Sequence, residues 1–316
     1  MTESSNLSAS SAPPAAPPRE SLVARLALGP LLLAGLVGAV LADRRLGLPL
    51  GVAGLVALFG TGALLEFYRL CRARDLRPLR AAAVVSFLWL VAAHVVIHGV
   101  ANGALHRNRF STLVALIGPL DGAIVLMLIF SVLGYRRVRA VPDMLATWAG
   151  FLYIGVLLSF TLRLRLVPQH AEAWVLFLAL TNKIGDSAAF LVGRSFGRTP
   201  LVPSISPRKT VEGLAAALVA GTAAGTLVFA LNDAAGGDFR GTGAGRTALW
   251  VGTALAVTAA AATGDLSKSW IKRWAGAKDS GRVLPAFGGF LDMVDGFLLS
   301  GPLALLLYTV GTRWWS

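Results

Sequence analysis

The sequence predicts an all-α polytopic membrane protein, about nine transmembrane helices packed in one bundle. Three observations predict it. Hydrophobic residues make up 55% of the 316 positions, and 35 glycines bring the apolar share to about two-thirds, against roughly 45–50% in soluble domains counted in nearly the same way. Charged residues fall to 14%, against ~25% in soluble proteins. Apolar runs also recur along the whole chain at the length of about 20 residues that a helix needs to cross a bilayer. A soluble globular enzyme, a disordered chain and a disulfide scaffold are excluded, and the lone Cys71 allows no internal disulfide.

Residues 1–20 are rich in Ser, Ala and Pro and are expected to form a disordered tail, because they bury too little surface to offset ordering entropy. No basic stretch at Met1 leads into a short apolar run, so the first apolar segment is expected to remain as a helix. In lipid only a helix satisfies all its own backbone groups. On that basis the spans fall near Leu22–Ala42, Leu48–Leu65, Ala81–Val100, Leu113–Leu133 and Leu145–Leu162, within an N-terminal set of membrane helices over 21–165. A C-terminal set over 166–316 holds Trp174–Val192, Leu214–Leu231, Thr247–Thr263 and Phe290–Val310. The sixth, eighth and ninth of these carry ionisable residues.

Loop charges set the orientation. The loops after spans two, four, six and eight, with the flanking helix end, hold seventeen Lys and Arg, among them Arg69, Arg136, Arg194 and Lys272. The opposite loops and the C-terminus hold nine. The positive-inside rule places the seventeen in the cytoplasm, which predicts a multi-pass protein of the cell or inner membrane with its N-terminus inside. Much of the +13 net charge is then an orienting charge, and nucleic acid is not needed to explain it. Trp314 and Trp315 fit an interfacial aromatic anchor.

A charge inside a membrane segment costs at least a few kcal/mol and marks function by default. Lys183 and Asp186 lie i, i+3 on span six; Asp265, Ser269 and Lys272 share one face of span eight; Asp292 and Asp295 open span nine. All fall toward the same predicted side. Hard cations such as Mg²⁺ take carboxylate and phosphate oxygens, so aspartates facing lysines and arginines point to metal ions and phosphoryl groups meeting there. Structural ion pairing of the same residues is the competing explanation. His94 and His98 lie i, i+4 on span three without a supporting Cys or carboxylate, which favours packing or an interhelical hydrogen bond. Asp121, between Pro119 and Gly122, needs a partner that the sequence does not name. A transporter is disfavoured because transporter sites lie near the midplane between repeats.

One long motif carries a family resemblance. It reads Ser269-x-Ile271-Lys272-Arg273, four residues, Lys278-Asp279, then Leu284-Pro285, Gly288-Gly289-Phe290-x-Asp292 and Asp295. Upstream stand Asp186, Phe190-x-x-Gly193-Arg194-x-Phe196-Gly197-Arg198, and Ile205-Ser206-Pro207-x-Lys209-Thr210-x-Glu212-Gly213. Together they resemble the phosphatidate cytidylyltransferases, the CDP-diacylglycerol synthases. The chain departs from that pattern at Phe287, where the family has His, and at Met293, where it has Arg.

The resemblance implies condensation of CTP with phosphatidic acid to give CDP-diacylglycerol and pyrophosphate in phospholipid synthesis, at a site facing the cytoplasm. It implies Asp265 and Asp292 as metal-binding carboxylates for Mg²⁺, beside a second monovalent or divalent cation. Lys272, Arg273, Lys278, Asp279 and Asp295 would carry catalysis, and Asp186, Arg194, Lys209, Ser269, Gly288 and Gly289 would bind substrate. Partners would be CTP, phosphatidic acid or a related lipid phosphate, and membrane lipids, with room for a homodimer. The two departures keep open a diverged relative acting on another lipid phosphate, or a catalytically silent lipid-binding scaffold.

Overall fold

The computed structural model describes residues 20–104, 109–134, 141–167, 169–236, 244–277 and 288–314. Among them the chain forms nine helical rods, one for each expected span. These are α1 (Glu20–Leu46), α2 (Leu50–Arg72), α3 (Arg80–Ala104), α4 (Arg109–Leu133), a fifth rod, α7 (Ala171–Phe196), α8 (Val211–Ala234), α9 (Ala244–Trp274) and α10 (Phe290–Trp314). The fifth rod joins α5 (Val141–Gly150) to α6 (Leu157–Arg165) through a π-helical stretch, Phe151–Val156. Seven rods, all but α1 and α4, are long and apolar enough to cross a membrane among the described residues.

A two-stranded antiparallel hairpin interrupts the helices between α7 and α8: β1 (Pro200–Val202) pairs with β2 (Ser206–Thr210). By sequence this segment belongs to the basic loop after span six. Strands of three and five residues are too short for a period of two to show, and Pro203-Ser204 closes the turn. The hairpin runs directly into α8, whose N-cap Thr210 accepts a hydrogen bond from the Gly213 N–H at 3.1 Å. Glu212 turns back to accept from the N–H groups of Arg198 and Thr199 at 3.1 and 3.2 Å. The end of α7, the hairpin and the start of α8 are thereby locked as one piece.

Lipid tails are as apolar as leucine, so helices in a bilayer associate through close van der Waals packing and small residues. A Cβ on Gly225 would meet Thr181 Oγ1 at 2.6 Å and Ala254 Cβ at 2.9 Å, so α7, α8 and α9 converge on that point. At the end away from the hairpin, Phe177 stacks on Phe229 with centroids 4.4 Å apart, and Trp174 meets both edge-on. Trp174 also meets Tyr308 of α10, and Phe229 lies beside Trp250 of α9.

Polar groups within the bundle are tied to one another. His94 Nε2 accepts from Arg163 Nε at 3.0 Å, and its Nδ1 lies 2.7 Å from the Leu90 carbonyl. This is the interhelical bond favoured over a metal role. Asp43, fully buried, accepts from the Gly51 and Val52 N–H groups and lies 3.4 Å from Arg165. Asp121 sits on an exposed face of α4.

The most consequential tie is Glu66. It lies on α2, buried to 2% exposure, one residue beyond the expected end of span two. Its Oε1 accepts the Phe290 N–H and its Oε2 the Leu291 N–H, both at 2.9 Å. Two of the four orphan donors at the start of α10 are thus satisfied by a carboxylate at the positive end of the helix dipole. Glu66→Ala is expected to lower stability by about 2 kcal/mol by stranding two buried donors. Glu66→Gln, which keeps an acceptor, falls between. Thermal unfolding of the detergent-solubilised chain measures the order.

Candidate active site

The polar residues of α7, the hairpin, α9 and α10 gather at the hairpin end of the bundle. At their centre is a residue that by sequence is one of the seventeen Lys and Arg of the loops and flanking helix end. Lys268 lies on α9, one turn after Asp265 and one turn before Lys272, and is 8% exposed. Its Nζ is 2.8 Å from Asp265 Oδ1 and 3.0 Å from Asp292 Oδ1, and it donates to Asp295 Oδ2. The missed signal was the i, i+3 spacing from Asp265, the same rule that grouped Lys183 with Asp186.

Further lysines close the outer edge. Lys209, carried in by β2, bonds Asp265 Oδ2 at 2.7 Å, and Lys272 bonds Asp292 Oδ1 at 2.6 Å. Lys183 donates to the Met293 carbonyl at 3.0 Å and lies 4.0 Å from Asp186. Met293 itself is buried. Side-chain exposure grades outward, from 4% at Asp295 through 14% at Asp292 and 32% at Asp265 to 46% at Asp186. The centre therefore opens on the Asp265–Asp186 side.

Three close approaches set the geometry. A Cβ on Gly264 would run into the Asp295 carbonyl, so glycine lets α9 touch the backbone of α10 beside the carboxylates. Gly288 has φ +82°, and a Cβ there would meet Asp292 Oδ2 at 2.5 Å. A Cβ on Gly289 would strike the Glu66 carboxylate. The Gly289 N–H donates to Asp292 Oδ2 at 3.1 Å, and the Gly296 N–H donates to Asp295 Oδ1 at 2.6 Å. The glycine pair thus shapes the turn into α10 and aims one amide at a carboxylate.

Of the expected site residues, the structure brings together Asp265, Asp292, Asp295, Lys209 and Lys272. Asp186 stands within electrostatic reach of Asp265, Lys209 and Lys268. Ser269 turns its hydroxyl onto the Asp265 carbonyl at 2.8 Å, and Arg273 donates to the Ile205 carbonyl at 3.2 Å, tying α9 to the hairpin. Arg194 is exposed near the end of α7. Lys278, Asp279 and Phe287 lie outside the described residues.

Because Gly289 has no room for a methyl, Gly289→Ala should push the Glu66 carboxylate aside. The expected cost is about 1–3 kcal/mol, as for overpacking elsewhere. Its thermal midpoint should fall below the native value, while alanine at Gly252, which has open space around its Cα, should not lower it comparably.

The family profile described as "Cytidylyltransferase family" matches residues 23–310. A protein of Mycobacterium leprae named phosphatidate cytidylyltransferase is 32% identical over 232 residues, which cover 73% of this chain and 62% of that one. One of the same name from Brucella suis is 40% identical over 164 residues, covering 52% of this chain and 56% of that protein. A third, from Mycobacterium bovis, is 35% identical over 169 residues, covering 52% and 49%. The chain spans about half to three-fifths of the length of these relatives. With a match that runs through nearly all of α1 to α10, the chain belongs to the cytidylyltransferase family.

Proposed function

We propose that this protein condenses CTP with phosphatidic acid to form CDP-diacylglycerol and pyrophosphate, at a site facing the cytoplasm. The observation that carries the reading is the gathering of lysines and aspartates at one end of an otherwise apolar bundle, beside a basic hairpin. The relatives' name supports the choice of nucleotide and lipid. The excess of Lys and Arg in the loops at that end supports the cytoplasmic side.

The lipid fits the surroundings. Phe190, one turn after Asp186 on the same face of α7, is 37% exposed, so apolar surface borders the polar opening. A lipid phosphate can reach the lysines while its acyl chains remain in the bilayer. A phosphate oxygen of phosphatidate attacks the α-phosphorus of CTP and forms a new P–O bond. The α–β phosphoanhydride bond breaks, and pyrophosphate leaves with the electron pair. Catalysis of this kind rests on positioning and charge neutralisation. Lys209 and Lys272, on the accessible edge, are placed to exchange a carboxylate for a phosphate oxygen. Arg273 and Arg194 provide cationic charge farther along the same end.

For Mg²⁺ the donor chemistry is right, since carboxylate oxygens are hard ligands. The occupancy is not. Both oxygens of Asp265, of Asp292 and of Asp295 already accept from lysine or backbone N–H donors. Among the described residues no group of three or more His, Cys, Asp or Glu is arranged to hold an ion. The residues as placed do not fit a resident Mg²⁺ at the point where the three carboxylates meet. Mg²⁺ enters this proposal as part of the CTP complex, as substrate.

The purified chain, given Mg²⁺, CTP and phosphatidic acid, is expected to make nucleotide-lipid and pyrophosphate in equal amounts. Lys272→Met should lower turnover by about 10²-fold, the usual scale for removing one charge-stabilising group. Absence of product with phosphatidate overturns the reading, and transfer to a different lipid phosphate would reassign the substrate. For orientation, Arg208→Cys on the exposed hairpin should react with an impermeant maleimide only once the cytoplasmic face is opened. The native Cys71 is buried and does not compete.

A further inference from the structure

The cation between the three carboxylates is the protein's own. Lys268 donates to Asp295 and is ion-paired with Asp265 and Asp292, so three carboxylates from two helices surround its ammonium. An ammonium is a compact point charge with three N–H donors, as many as the carboxylates around it. Oxygens from several carboxylates converging on one buried positive charge is the arrangement by which proteins hold hard metal ions. Here the sequence fills the position with a side chain.

Charge balance agrees with the geometry. Asp186, Asp265, Asp292 and Asp295 face Lys183, Lys209, Lys268 and Lys272, four of each sign. The lone pairs that a divalent ion needs are engaged, and no net negative charge is left to draw one in. Mg²⁺ gives up its water reluctantly and is held through one or two carboxylates plus substrate phosphates. It gains little from a neutral cluster in which every carboxylate already has a partner.

We propose that Lys268 is a resident cation that holds Asp265, Asp292 and Asp295 together in place of a metal ion. The divalent ion required by the reaction then arrives only with the nucleotide. Lys268 is a positioning residue: it touches no substrate and fixes the carboxylates between which the other lysines work. The inference deepens the cytidylyltransferase reading and rests on it only for the statement about the nucleotide. The resident-cation assignment rests on the geometry.

The test is a Mn²⁺ titration of the purified full chain in detergent, without CTP or lipid, read by the electron paramagnetic resonance signal of free Mn²⁺. The quantity scored is saturable binding that Asp292→Asn removes. The native chain is expected to show none below about 1 mM, far weaker than dedicated all-oxygen sites. Lys268→Arg should behave like the native chain. Lys268→Met, which leaves three carboxylates around a vacated point, should gain one such site at least 30-fold tighter. The proposal is overturned if the native chain already has that binding, which would mean that an ion displaces Lys268, or if a folded Lys268→Met gains none. The native arm decides by itself should Lys268→Met fail to fold. Because neither substrate is present, the outcome is independent of whether CTP and phosphatidate react, and an inactive enzyme with no native Mn²⁺ site would sink the function and leave Lys268 in its role.

Discussion

A carboxylate can enter a hydrocarbon-embedded bundle only when it is hydrogen-bonded or its charge is matched, and the meeting of Lys268 with Asp265, Asp292 and Asp295 is where this chain meets that demand for three carboxylates at once. Leaving any one of the four groups without its partners would bury an uncompensated charge, at several kcal/mol after relaxation. The crossing of α9 and α10 is fixed accordingly. Lys268 and Asp265 sit on one face of α9, Asp292 and Asp295 on one face of α10, and the two faces must touch. Gly264 is small because the Asp295 carbonyl lies against it. The polar centre and the close helix contact are one structural feature seen from two sides.

The axial position of α10 is set from the other half of the chain. Glu66 of α2 grips the first two amides of α10, and Gly289 gives it the space to do so. The Gly289 amide in turn bonds Asp292. A shift of α10 along its axis would therefore break its cap and move both aspartates off Lys268 together. The N-terminal helices, which carry none of the motif, contribute the carboxylate that places the motif. On the outer side Lys209 reaches Asp265 only because the hairpin is tied down, through Glu212 to the end of α7 and through Ile205 to Arg273.

How much of this the sequence disclosed follows from the kind of signal each feature leaves. Apolar runs about 20 residues long are strong periodic signals, and every expected span corresponds to a helical rod. The i, i+3 and i, i+4 rules placed Asp265 with Lys272 and Asp292 with Asp295 on shared faces, and those faces do meet. Glu66 escaped notice because its partners lie 224 and 225 residues away, and an acidic residue just past an apolar run reads as an ordinary helix end. Lys268 escaped for a related reason. Counted with the basic loop residues, it served to orient the bundle, and only the approach of α10 reveals it as the centre of the site. Gly288 and Gly289, which the resemblance assigns to substrate binding, also form a left-handed turn and leave room for a carboxylate, roles that only the folded neighbours reveal.

The arrangement has a consequence for the order of events in the proposed reaction. With its oxygens occupied, the centre attracts a bare divalent cation weakly, yet it presents lysines to any polyanion that arrives. A triphosphate drawing Lys209 toward itself would release Asp265 Oδ2 at the same moment, and drawing Lys272 away would leave Asp292 Oδ1 to Lys268 alone. The carboxylates become available to a cation only as the phosphates come in, and the nucleotide brings that cation with it. Lys268, enclosed by three acceptors and least exposed of the lysines that contact these aspartates, stays behind and keeps the aspartates from flying apart while the outer pairs exchange. Ion pairs on the rim that trade partners, around one at the centre that does not, let each aspartate keep a cationic partner while the anions enter.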